Sequence, residues 1–146
     1  MIFILAGVFA LLGLYNLYLF SGIEIRVKFT KVDLAVYLMM LVMFAIYQWV
    51  FKPYIINTLA IGLAIIFWNY SGIIARGFSK DFLYTNKLNP FLNKKVKLDE
   101  IKSVTLSRAE KNLLLIVNFK EANAQDNMRF AYKKEKDLIK LLKGQK

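Results

Sequence analysis

MIFILAGVFALLGLYNLYLFSGI (residues 1–23), LAVYLMMLVMFAIYQWVF (34–51) and PYIINTLAIGLAIIFWNYSGIIA (53–75) contain no charged side chain, and only Glu24, Arg26, Lys28, Lys31, Asp33 and Lys52 separate them. A hydrocarbon layer about 30 Å thick is crossed by about 20 apolar residues in helical form, so each stretch reads as a membrane-spanning helix. The expected helices run over 1–22, 32–51 and 54–75, with Pro53 in the turn between the second and third, where it interrupts neither. The first stretch has neither a basic leading segment nor a small-x-small cleavage site near residues 19–22, so it reads as a retained helix and not as a signal peptide.

Composition agrees with this division. The chain has 146 residues, is 58% hydrophobic and carries a net charge of +11. Residues 1–75 hold four Lys/Arg against two Asp/Glu, and residues 76–146 hold seventeen against eight. The sequence thus divides into a membrane domain (1–75) and a basic domain (76–146). A basic domain tethered at a membrane points to the anionic cytoplasmic leaflet. Nucleic acid is the weaker reading, because the Lys residues are dispersed among apolar ones and no recognition motif is present. There is no Cys and no His, which excludes thiol nucleophiles, disulfides, Cys/His zinc sites, imidazole acid–base chemistry and Cys lipidation.

Orientation follows from the Lys/Arg balance of the short flanks. Arg26, Lys28 and Lys31 lie between the first two helices, Lys52 alone lies between the second and third, and Arg76 and Lys80 follow the third. The expected topology puts the N-terminus outside and the first loop and the C-terminal domain in the cytoplasm of a bacterial inner membrane. Trp49, Phe51 and Tyr54 would form the outer aromatic belt. Asp33 reads as the cap of the second helix. Asn16, Gln48, Asn57 and Asn69 are the intramembrane polar residues to watch; interhelical hydrogen bonding is the bland reading of these amides and a solute path the functional one. Ala6/Ala10 and Ala60/Ala64 have the spacing that permits close helix contact.

Past residue 76 the apolar period becomes two. Phe78, Phe82 and Tyr84 flank a turn at 79–81; 86–93 is an Asn/Pro loop; Val96 and Leu98 alternate with charges. A strand is expected over 101–108, a turn at 110–112, the strongest strand over 113–120, a polar loop over 121–127 and a last strand over 128–133. These five or so strands make one small antiparallel meander. Residues 134–143 read as an amphipathic helix with Leu138, Leu141 and Leu142 on one face, used either to cap the open sheet or to lie on the leaflet.

The segments SGIIARGFSKDFLYTNKL (71–88), KKVKLDEIKSVTL (94–106) and KKEKDLIKLLK (133–143), following a membrane helix, resemble small bacterial membrane proteins with a pleckstrin-homology-like domain. The resemblance spans about residues 70–143, and its best element is the run from Val96 to Val104. It implies a non-enzymatic binding or scaffolding role, and for some relatives protection against membrane-active bacteriocins or toxins. The strands counted in the sequence are fewer than the seven of a full pleckstrin-type barrel, so the domain reads as a truncated version.

No nucleophile–base pair, Gly-rich phosphate loop or metal-ligand spacing is present. Asp99 and Glu100 would point to opposite faces of a strand and read as partners of Lys97 and Lys102; Asp81, Glu110, Glu121, Asp126, Glu135 and Asp137 read as turn or solvent residues. The sequence suggests no enzyme activity and no cofactor. Arg76, Lys80, Lys87, Lys94, Lys95 and Lys97 are candidate contacts to anionic lipid, or else solubilising charges. Three functions are expected in order: an accessory protein that binds a membrane-protein partner or the anionic leaflet, an immunity protein against a membrane-active toxin, and a self-associating channel or transporter subunit.

Overall fold

The structure, a computed structural model, describes residues 1–89, 91–109, 112–120 and 124–143. Three long helices come first: α1 (Ile2–Ser21), α2 (Lys31–Phe51) and α3 (Ile55–Ile74). All three are long and apolar enough to cross a membrane. Their apolar side chains run all round the helix, so most of them face outward, as suits a lipid surround. α1 packs closely along α3, whereas α2 touches α3 lightly and buries no residue. The close approach uses Gly13 and Phe67: a Cβ on Gly13 would lie 2.5 Å from the Phe67 ring. Of the small pairs noted in the sequence, Ala6 is buried. Asp33 is the expected cap. Its carboxylate accepts from the Thr30 N–H (2.7 Å), and the Thr30 hydroxyl accepts from the Asp33 N–H, which completes a capping box.

Beyond the helices lie two antiparallel sheets. The first has the order β1 (Ile25–Arg26), β2 (Gly77–Phe78), β3 (Phe82–Thr85), β4 (Lys94–Lys97). The second has the order β5 (Ile101–Ala109), β6 (Asn112–Phe119), β7 (Gln125–Phe130). Helix α4 (Glu135–Lys143) follows. The single five-strand meander is therefore corrected to seven strands in two sheets among the described residues. The turn expected at 110–112 falls at 110 and 111 outside the described residues, and Asn112 already belongs to β6.

The two sheets face each other over one core. Ile25, Phe78, Leu83, Val96 and Leu98 from the first side meet Leu113, Leu115, Val117, Phe119, Met128 and Phe130 from the second, and Leu138 of α4 closes the gap. The alternation Leu113, Leu115, Val117, Phe119 is buried on β6 as the period-two pattern requires. Leu138 is fully buried and Leu141 and Leu142 pack on the core, so α4 caps the sheets.

Four local expectations change. The loop between α1 and α2 supplies β1, with Glu24 N–H bonded to Phe78 C=O (3.0 Å) and Val27 N–H to Arg76 C=O (3.1 Å). The next residue joins the sheets, since Lys28 N–H donates to Arg129 C=O at 2.7 Å. Residues 125–127, expected in a loop, are strand, because Asp126 finds a buried partner far away in sequence. The strand then ends at Phe130, and 132–134 form a turn of 3-10 helix instead of continuing it. Likewise β4 ends at Lys97, and Leu98–Glu100 form a 3-10 turn instead of the extended continuation expected there.

Gly77 makes the junction possible. Its φ is +151°, a region that other residues rarely adopt, and a Cβ would run into the Ile25 carbonyl oxygen of the paired strand.

Candidate functional site

The C-terminal turns of α1 and α3 meet the β3–β4 loop in a cluster of amides. Asn16 of α1 and Asn93 of the loop are 1% and 2% exposed. Asn93 Nδ2 donates to the carbonyls of Gly72 (2.9 Å) and Ala75 (2.6 Å), two of the free carbonyls that end α3. The Asn93 backbone N–H lies 3.4 Å from Asn16 Oδ1, and Asn16 Nδ2 lies 3.4 Å from Ser71 Oγ. Trp68 Nε1 donates to the Phe91 carbonyl (2.8 Å), and the two rings stack at 6.2 Å. The loop thus descends along α3 to Trp68, about 9 Å below the helix end at the helical rise per residue. A cavity of about 50 Å3 opens here, lined by Asn16, Asn69, Asn86, Asn93, Trp68 and Phe91 among others. The Oδ1 atoms of Asn69 and Asn86 are buried without a hydrogen-bond partner.

The four polar residues singled out within the apolar stretches therefore separate. Asn16 and Asn69 come together at this cavity. Gln48 is at the other end, donating to the Pro53 carbonyl (3.0 Å) in the α2–α3 turn. Asn57 is near it in the first turn of α3, about 18 Å along the helix from Asn69. Asn86 and Asn93 were missed because an Asn/Pro loop reads as turn chemistry; the sequence has no signal that sets them against the helix end.

A second joint lies just past α3. Arg76 Nη2 is paired with Asp126 of β7, and the Thr85 hydroxyl donates to the other carboxylate oxygen. The Arg76 side chain is 14% exposed and that of Asp126 is 0%. The reading of Asp126 as a turn or solvent residue is corrected: it is a buried charge held by a guanidinium and a hydroxyl. Arg76, a candidate lipid contact in the sequence, is turned inward to it.

The five candidate lysines remain exposed. Lys80 is in the β2–β3 turn, Lys87 follows Asn86 in the loop beside Phe91, and Lys94, Lys95 and Lys97 are on β4. Lys95 lies 3.8 Å over the Phe82 ring. They do not converge on one point: Lys97 lines a groove with Lys102 and Lys120, while Lys80 lines another with Glu24 and Asp137. Asp99 and Glu100 are in the 3-10 turn before β5, and the Asp99 carbonyl accepts from Lys120 Nζ.

The first of those grooves, about 1010 Å3, runs between the β4–β5 corner and the end of α4. It touches the first four residues, Ile101 to Val104, of β5, an edge strand of nine residues. Residues 103–109 pair with β6 and, among the described residues, with no other backbone, and Lys102 is skipped by the register. No family model, curated protein or solved structure matches the chain.

Proposed function

We propose that this chain is a non-catalytic, multi-pass protein of a bacterial inner membrane, with its N-terminus outside and its sheet domain in the cytoplasm. The domain holds an extended, acidic segment of a membrane-protein partner along β5. The carrying observation is the edge strand β5, whose first four residues line a groove in which Lys97, Lys102 and Lys120 outnumber Asp81 and Asp99. An open edge offers a row of backbone donors and acceptors, and β-addition is a common way of using one. Lys102 and the register shift between Ile101 and Ser103 disfavour pairing with a second β5, which would be equally basic.

The topology draws support from β1, which ties the Arg26/Lys28 loop to the same side of the helices as the C-terminal domain. The pleckstrin-like reading draws support from the four-plus-three strands closed by α4. A second use is favoured by Lys87, exposed in the loop that reaches Trp68: it can touch an anionic headgroup while β5 is occupied. Immunity against a membrane-active toxin is compatible with the same edge, with the toxin or its receptor as partner. The channel reading loses its motive within one chain, because Gln48 and Asn57 lie at one end and Asn16 and Asn69 at the other, with Gly13 and Phe67 packed between.

The test uses the full-length chain in its native membrane. The sequence has no Cys, so Thr105→Cys on β5 gives a single cross-linking point. One dominant membrane-protein adduct, lost in a Lys102→Glu/Lys120→Glu background, is expected. Absence of any adduct, or an adduct only with a second copy, overturns the partner reading.

A further inference from the structure

We propose that the segment held at β5 is bound by the backbone of Val104 and Leu106, and that it carries two apolar residues two positions apart on the α4 side, with an acidic residue toward Lys102. The inference rests on the partner reading above and adds what the partner's segment must contain.

The parity of the ladder comes first. Along an antiparallel strand, residues whose N–H and C=O groups bond to one neighbour alternate with residues whose groups point the other way. The Phe119 N–H donates to the Ala124 carbonyl (3.3 Å), so Phe119, Val117 and Leu115 turn their backbone groups to β7. The residues between them, Asn118, Ile116 and Leu114, turn theirs to β5, and the Lys120 N–H, bonded to the Glu100 carbonyl (3.1 Å), has the same parity. Their partners in register are Ser103, Thr105 and Ser107. The N–H and C=O groups of Val104 and Leu106 therefore point out of the sheet edge, and among the described residues no backbone group meets them.

Side chains divide the same way. Residues directly opposite one another on neighbouring strands point to one face. Val104 and Leu106 are half-buried and turned to the core, and Leu142 of α4 lines the groove with Val104, whereas Thr105 is exposed on the other face. Segment residues opposite Val104 and Leu106 thus lie against apolar side chains, and the residue between them faces water beside Thr105. At the far end of β5 the α4 side is taken up by the Arg108–Glu135 pair (2.7 Å) and by the Tyr132 hydroxyl, which donates to the Ala109 carbonyl. Apolar contact is therefore confined to Val104 and Leu106. At the near end Lys97, Lys102 and Lys120 outnumber Asp81 and Asp99, which suits a carboxylate on the segment.

The experiment uses the full-length protein in detergent and two synthetic peptides of one composition. The probe has two valines separated by a threonine, with glutamates at both ends. The control has the same residues with the valines adjacent, so that they cannot share a face. Amide hydrogen exchange is read residue by residue. In the free protein Val104 and Leu106 are expected to exchange fast, and Thr105 and Ser107 slowly. With the probe at about ten times its Kd, Val104 and Leu106 should slow about tenfold, because only the unbound fraction exchanges. The control should bind about tenfold more weakly, the effect of one misplaced valine. Val104→Pro removes an N–H that faces the segment and not β6. It should weaken the probe about tenfold while β6 keeps its protection. Slow exchange of Val104 and Leu106 in the free protein, equal binding of the two peptides, or lost protection of β6 in Val104→Pro overturns the proposal. So does a probe that fails to bind, that binds without protecting these two amides, or that binds Val104→Pro as well as the natural chain. If Thr105→Cys still cross-links a membrane protein in any of these cases, the partner reading stands and only the assigned segment falls; without that adduct both fall.

Discussion

Two joints fasten the sheet domain to the helices, and they use opposite chemistry. The joint of Asn16, Ser71 and Asn93, level with the C-terminal turns of α1 and α3, contains only neutral groups. The joint of Arg76, Thr85 and Asp126, one step past α3, is an ion pair with a third donor. A charge within reach of hydrocarbon costs several kcal/mol, whereas an amide that satisfies helix-end carbonyls replaces bonds the helix would otherwise lack. Past the helix end the surroundings are protein core and water, and a pair with each oxygen satisfied can be kept there. With the helices spanning a membrane as proposed, distance from the hydrocarbon decides which polar group can hold the domain.

The contrast is most exposed to test at Asp126. Asp126→Ala leaves a guanidinium buried with no carboxylate, and its Nε already lacks a partner. The expected loss is about 3–5 kcal/mol, as for other single breaks of buried pairs. Arg76→Met combined with Asp126→Leu removes both charges and should cost far less. Thermal unfolding of the full-length protein in detergent reads both. Equal costs for the single and double changes would mean that the charges are hydrated and that the two joints do not differ in kind.

Gly77 asks whether either joint matters without the strand pairing between them. Gly77→Ala forces a Cβ toward the Ile25 carbonyl and to 2.7 Å from Ile23 Cγ2, at a φ that suits glycine. The expected cost is about 3 kcal/mol from backbone strain and overpacking together. Hydrogen exchange should show lost protection at the amides of Glu24 and Val27, while β6 stays protected. Protection unchanged at Glu24 would mean that β1 is dispensable to the junction.

Asn93→Ala is expected to be milder. It removes two neutral bonds to helix-end carbonyls, each worth about 1 kcal/mol net, and so costs about 2 kcal/mol. Its effect should appear as local opening of residues 86–93 and not as a lower global midpoint. A loss as large as that of Asp126→Ala would make the amide joint the principal one.

What the sequence disclosed follows from where the physics is local. Helix-length apolar runs identify α1, α2 and α3 without help, and period-two alternation identifies β5 and β6, whose partners are sequence neighbours. Helix α4 was legible from its leucine face. β1 was not, because two residues in a charged loop carry no periodicity and their pairing partner is 52 residues away in register, Ile25 with Phe78 and Arg26 with Gly77 on average. Asp126 read as solvent because Gln125, Asp126 and Asn127 are polar throughout; what makes them strand is pairing with Ile116–Asn118 of β6, and the partner that buries Asp126 is Arg76, 50 residues earlier. Half of the amide cavity, Asn16 and Asn69, stood out as polar groups inside apolar helices. Asn86 and Asn93 did not, since amides are ordinary in loops, and only the descent of the loop to Trp68 makes these two exceptional.

The smallest effect is expected where the same charges meet in water. Arg108 on β5 and Glu135 at the start of α4 are 2.7 Å apart, with the Arg108 side chain 73% exposed. Solvent screening and the entropy of holding a long side chain reduce such a pair to about 0.5 kcal/mol, and Arg108→Ala should cost no more. Its small contribution should vanish as ionic strength rises toward 1 M, where screening acts within about 3 Å. The Arg76–Asp126 contribution should persist there, because its field lines run through protein and not through salt solution. Parallel salt titrations of Arg108→Ala and Asp126→Ala therefore measure burial directly: a salt-sensitive Asp126 would place the ionic joint in water and remove the physical reason for its difference from the amide joint.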